Sequence, residues 1–248
     1  MRRNLRTILA SIGMAICILG ASACSANPAA NSEASSQTNV RKHANSLREM
    51  AQQILNQDNN TMNDTQREII ERAIQNNGKV SDADYERAWQ AYNQCLVDKG
   101  YNPQPLVQVE GIYLSSFDRD SIDNEELQQK FEQDVNSCLF GNVMEVQGLY
   151  TAGKDNPNLI AGQEAAVDCL HRRNLVPESY TLADFEREDT QYHDTFANSK
   201  DPFALDTRKK ASEKLSFNLD DSVARLCLVA NGAAYFFNKD QPRWHPFD

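Results

Sequence analysis

The sequence predicts a mainly α-helical protein built from two related helix-loop-helix units, each tied by a disulfide, with a minor β-hairpin. Three observations predict it. Beyond residue 40, apolar side chains recur at spacings of three and four, the period of one buried helix face. Four cysteines sit on those stripes in two matching contexts. Alternation with period two, the mark of a half-buried strand, is confined to one short stretch. At 248 residues the chain has room for one large or two small domains and a core that needs no metal.

Taken in order, Val40, Leu47, Met50, Ile54 and Leu55 share one stripe. Ile69, Ile70, Ala73 and Ile74 share the next, which Asn77-Gly78 ends, so residues 40–80 read as an N-terminal helical hairpin. Ser81 followed by Asp84 forms a capping box with Asp in place of Glu. Tyr85, Ala88, Trp89, Tyr92, Cys95 and Leu96 then repeat until Gly100 stops the run. Within residues 106–114, Val107 and Val109 alternate with Gln108 and Glu110 before Gly111, a short hairpin. Asp123 with Glu126 opens a helix through Leu127, Phe131, Val135, Cys138 and Leu139, and residues 81–150 make the first cysteine unit. After Asn156-Pro157 comes a helix carrying Ala166, Val167, Cys169 and Leu170. Thr181 with Asp184 caps another through Leu182, Phe185 and Tyr192, and residues 223–229 hold the last, so residues 151–248 make the second unit with an aromatic tail.

The two units match by position. Cys95-Leu96 precedes Gly100-Tyr101 and Pro103, as Cys169-Leu170 precedes Asn174-Leu175 and Pro177. Gly and Asn are the residues that most readily end a helix in the left-handed conformation, and a proline shortly after stops it resuming. Each helix is followed by a second with Cys-Leu near its end, Cys138-Leu139 and Cys227-Leu228. Four cysteines allow three pairings, and the duplication favours Cys95 with Cys138 and Cys169 with Cys227. Loops of that length are worth roughly 4 kcal/mol each in the chain-entropy model. A structural zinc site would want close ligand pairs such as Cys-x-x-Cys, and there are none.

The N-terminus has the three parts of an export signal in residues 1–23. Basic Arg2, Arg3 and Arg6 precede apolar residues 8–19, and small residues 20–23 follow. The apolar run is shorter than the roughly 20 residues a membrane span needs. Its end, Leu19-Gly20-Ala21-Ser22-Ala23-Cys24, resembles the lipobox of bacterial lipoproteins, with Ala21 where that pattern has Leu. The resemblance implies cleavage before Cys24 and an acyl anchor, diacylglycerol with chains such as palmitate, on its sulfur. An ordinary signal peptidase would also accept Ala21-Ser22-Ala23 and release a secreted form. Five cysteines lie beyond the signal, and anchoring Cys24 leaves an even four. Residues 24–39 are small and polar and read as a flexible tether of roughly 20–25 Å root-mean-square span. The formal charge is −10, and removal of residues 1–23, with three arginines and no acid, leaves −13. So acidic a surface repels phosphate and argues against nucleic acid.

The tether after a lipobox, the Tyr-x-x-Cys-Leu and Gly-Tyr helix end of residues 81–101, and Cys169-Leu170 through Tyr180-Thr181 to Phe185 together resemble a loose set of uncharacterised cysteine-pair lipoproteins of Gram-positive actinobacteria. The resemblance covers roughly residues 66–228. It implies an address on the outer face of the cell membrane and a fold, and no reaction.

Catalytic and cofactor motifs are not legible. Residues 73–84 imitate half of a calcium loop, but Ala73 and Gln75 stand where carboxylates are required, so a helix-turn-helix corner is expected. His43, His171, His193 and His245 are scattered and form no metal or nucleophile motif. Asp118, Asp120, Asp123, Glu125 and Glu126 cluster beside a helix start, where capping and solubility are their ordinary roles. Tyr235, Phe236, Phe237, Trp244 and Phe247 concentrate aromatics in the last 14 residues. Two readings follow: a tail folded back on the second unit, or a patch for partner contact. The sequence thus leads to a non-catalytic, lipid-anchored envelope protein that binds another envelope protein or a wall ligand, with no cofactor. A solute-binding component of a transporter and a cell-wall hydrolase acting through two close carboxylates are the alternatives.

Overall fold

The computed structural model describes residues 40–58, 61–114, 119–201, 204–233, 235 and 242–247. The signal, Cys24, the tether, Asp118, Phe236 and Phe237 lie outside the described residues.

The fold is mainly helical, with two disulfides and one small hairpin. Helices α1 (Leu47–Gln57) and α2 (Asp64–Gln75) pair side by side, capped by the side chains of Ser46 and Asn63. The corner after α2 turns on Asn77 and Gly78, both at positive φ, as the Asn-Gly signal requires. Gly78 is obligatory for a second reason: a Cβ there would lie 2.1 Å from the carbonyl carbon of Leu47. Helix α3 (Asp82–Asp98) starts at Ser81, whose hydroxyl accepts from the Asp84 N–H. It buries Tyr85, Ala88, Trp89, Tyr92 and Leu96. Strands β1 (Val107–Val109) and β2 (Ile112–Leu114) form the expected hairpin about Glu110-Gly111, both at positive φ.

Helix α4 (Glu125–Asn142) begins one residue later than Asp123 implied, because Asn124 supplies the cap to the Leu127 N–H. A fifth helix, α5 (Met144–Asp155), was not legible as a separate element. The break between α4 and α5 is made by Gln66, fully buried on α2. Its amide donates to the carbonyls of Phe140 (2.8 Å) and Gly141 (2.9 Å), and its oxygen accepts from the Glu145 N–H (2.9 Å). One side chain thereby satisfies orphan groups of two helix ends. Helix α6 (Glu164–Arg172) starts well after Pro157, since Asn156 first closes a loop through bonds to Ile160. Helix α7 (Leu182–Ala197) opens with the Thr181–Asp184 capping box. Helix α8 (Leu205–Ser212) was not foreseen, and α9 (Ser222–Ala230) ends the helical part.

Both disulfides of the duplication are present, Cys95–Cys138 between α3 and α4 and Cys169–Cys227 between α6 and α9. The matched helix ends share one geometry. Tyr101 and Gly100 donate back to Leu96 (3.0 Å) and Val97 (2.9 Å), and Leu175 and Asn174 donate to Leu170 and His171 (both 2.9 Å). Gly100 and Asn174 are both at positive φ, as the paired bonds of this cap demand.

The boundary between the two cysteine units, at 150/151, lies inside α5. That helix buries Val146, Leu149, Tyr150, Thr151 and Ala152 against α1, α2 and α9. One apolar cluster runs from Ala51 to Trp244, and residues 39–248 form one compact unit. The tail also departs from the expected packing. Tyr235 lies against Tyr192 of the second unit, but Trp244, 2% exposed, crosses to the first and packs on Phe131 at 5.2 Å. The contact is made at the backbone just after the α3 cap, where residues 101–106 belong to no helix or strand. The tail supplies partners there, Asn102 N–H to Pro246 C=O (3.0 Å) and Trp244 Nε1 to Asn102 C=O (3.1 Å).

Candidate ligand-binding cavity

A cavity of about 220 Å³ opens where the two cysteine units meet. Trp89 comes from α3, Tyr113 and Leu114 from β2, Leu139 from α4, and Met144 and Gln147 from α5. Val229 lies in the last turn of α9, and Gly232, Ala233 and Tyr235 follow that helix. The walls are set by a polar scaffold behind them. Gln147 Oε1 accepts from the Tyr85 hydroxyl (2.5 Å) and Trp89 Nε1 (3.2 Å), which orients the indole. Tyr85 stacks on Tyr150 at 3.7 Å, and its hydroxyl accepts from the Tyr113 N–H at 2.9 Å, tying the hairpin to α3. The Tyr113 hydroxyl donates to Glu86 (2.6 Å) and the Tyr235 hydroxyl to Asp189 (2.8 Å).

These bonds decide the chemistry. The hydrogen bond to Glu86, then burial, raises Tyr113 above the ordinary phenol value; burial, then the bond to Asp189, raises Tyr235. Both stay protonated, so neither is a base at neutral pH. Among the described lining residues there is no carboxylate, histidine, cysteine or serine. The arrangement suits an apolar group. As a measure of size, an apolar cavity of roughly 150 Å³ holds benzene.

The other residues singled out in the sequence lie elsewhere. Cys138, Cys169 and Cys227 are buried in their disulfides, and Cys95 is half-buried. The Asp155 carboxylate, 4% exposed, lies within 4.8 Å of Cys169 and Cys227, whose sulfurs are already bonded to each other. Its charge is met by Arg172 (3.0 Å) and Arg173 (3.1 Å). Asp120 pairs with Arg243 and His245 and is lowered by them, His245 first, while Asp123, Glu125 and Glu126 are exposed at the α4 start. His171 bonds the Tyr180 carbonyl (2.8 Å), and His193 lies 3.4 Å from Asp189. Of the aromatic tail, Tyr235 and Trp244 are each 2% exposed, and Phe247 is 44% exposed.

Trp89 and Leu139 read from sequence simply as core, and Gln147 lies on the helix that periodicity missed. No local signal separates a wall residue from a core residue, because both sit on the same apolar stripe. No protein-family model, curated protein or solved structure matches this chain.

Proposed function

We propose that this protein is a lipid-anchored binding module of the outer membrane face, without catalytic activity, and that the cavity between its cysteine units is where it binds. The observation that carries the reading is the cavity's composition: aromatic and aliphatic walls, one amide, and no acid, base or nucleophile among the described lining residues. The signal and the lipobox-like end at Cys24 support the address. A mature charge of −13 keeps the domain soluble and off anionic lipid beyond its anchor.

Two experiments test the two halves. Trp89 lines the cavity and Trp244 does not, so in Trp244→Phe the remaining emission reports the site. Titration with 2-phenylethanol should shift that emission saturably, and Ala233→Leu, which fills the space, should abolish the shift. An unchanged response in Ala233→Leu would rule out this cavity, and turnover of peptidoglycan by the purified protein would favour the hydrolase. For the address, Cys24→Ser should move the protein from membrane to medium or leave it unprocessed. Normal processing with wild-type membrane partition would reject the anchor.

A further inference from the structure

We infer that the cavity's ligand is a small organic cation, a ring-sized apolar group carrying an ammonium that reaches Asp189 across the Gly232-Ala233 turn. The inference rests on the cavity reading above and specifies what the cavity takes. A second cavity of about 280 Å³, lined in part by Asp189, His193 and Asn231, shares Gly232 and Ala233 with the first. Tyr235 joins the two: its ring is in the wall of the first, and its hydroxyl lies 2.8 Å from Asp189 Oδ1. A carboxylate therefore stands one tyrosine's length from the aromatic wall.

That carboxylate has capacity left. Oδ1 takes the Tyr235 hydroxyl and faces His193 at 3.4 Å, while Oδ2 has no hydrogen-bond partner among the described residues. The side chain is 24% exposed, so it is reachable without being fully solvated. Space is free on the Cβ side of Gly232: a Cβ added there would meet no atom within 4 Å. The rest of the surroundings favours positive charge. The turn follows the C-terminus of α9, the negative end of its dipole. The Asn231 Oδ1, of a residue lining the second cavity, is buried and has no donor among the described residues, an arrangement that normally costs about 1–3 kcal/mol. No lysine or arginine lines either cavity among the described residues, and the mature chain is strongly acidic. A neutral apolar ligand would use the first cavity alone, whereas an amine on a two-carbon arm uses both.

The test compares 2-phenylethylammonium with 2-phenylethanol at pH 7, two probes of the same shape differing in charge, by calorimetry on the full processed protein. The ammonium should bind about tenfold tighter, the worth of one charge-assisted hydrogen bond at a partly exposed site. In Asp189→Asn, whose Oδ1 still accepts from Tyr235, the ratio should fall to about one with the alcohol's affinity unchanged. Equal affinities in the wild type, a comparison that needs no variant, would overturn the cation assignment and leave the cavity reading standing. Failure of both probes to saturate would overturn both. An ammonium preference that survives Asp189→Asn would remove Asp189 from the site and with it the inference.

Discussion

In the first cysteine unit the disulfide joins two long neighbours, α3 and α4, of 17 and 18 residues, with the hairpin as the one element between them among the described residues. In the second it joins two nine-residue helices, α6 and α9, with α7 and α8 inserted. Both units place a cation at the cap four residues after the first cysteine, and both give it a carboxylate. Lys99 meets Asp134 on the disulfide-linked helix α4, at 2.9 Å; Arg173 meets Asp155, which belongs to α5 rather than to the linked helix. Asp134 also takes Lys130 and the Tyr101 hydroxyl near the surface, whereas Asp155 is buried beside the disulfide. The same local sequence unit is thus closed by a disulfide and an ion pair in both places, between long helices in one and short helices in the other. Helices of nine residues have little stability of their own, so the second unit depends more on those ties.

The largest test of this difference is removal of each disulfide by paired Cys→Ala substitution. The chain-entropy model assigns both loops about 4 kcal/mol, with only a few tenths between separations of 43 and 58. Loop length therefore cannot distinguish them, and burial must. Loss of Cys169–Cys227, whose sulfurs are both fully buried, should lower stability in urea more than loss of Cys95–Cys138 by at least about 1 kcal/mol, through the cavity it leaves. Mild reductant followed by alkylation and mass mapping should label Cys95 and Cys138 first. Equal costs and simultaneous labelling would erase the contrast.

Next in size is Trp244→Ala, expected to cost about 3 kcal/mol by loss of a buried indole. The first unit is the one the tail covers, so hydrogen exchange should accelerate at Tyr101, Asn102 and in α4 and leave α6 unchanged. Uniform acceleration would show that the tail supports the whole core rather than one unit.

The carboxylates give a smaller pair. Asp155→Ala leaves two guanidinium groups facing a buried void and should cost about 2–3 kcal/mol in thermal or urea unfolding. Asp134→Ala breaks a partly exposed cluster and should cost under about 1 kcal/mol. The reverse order would mean that the charges, rather than their burial, set the cost.

The smallest effect is in pH. The bond from Lys130, followed by those from Lys99 and Tyr101, holds the Asp134 carboxyl well below the ordinary carboxylate value, against a partial opposing effect of burial. A depressed folded-state value means that the stabilisation is full above the unfolded value near pH 4 and is lost as pH falls below it. Asp134→Asn should therefore flatten part of the acid limb of the stability curve and leave stability at neutral pH with little slope. A mutant whose acid limb matches wild type would show that other carboxylates carry it.

Some of this architecture is written locally. The stripes of α1 to α4, the Ser81 and Thr181 caps, the Glu110-Gly111 turn and the twin helix ends at Gly100 and Asn174 each depend on residues within a few positions of one another. Repetition of the Cys-Leu context carried the pairing, because a duplicated unit repeats its closure. Other features needed the folded chain. The break between α4 and α5 is made by Gln66, more than 70 residues away in sequence, and the tail crosses to the first unit by hydrogen bonds to the backbone of Asn102. The cavity needed it most. Its walls come from α3, β2, α4, α5 and α9, and its side chains are of the same type and period as the core's. Periodicity states which face of a helix is buried; whether that face meets another side chain or an open space depends on how five elements approach one another in three dimensions.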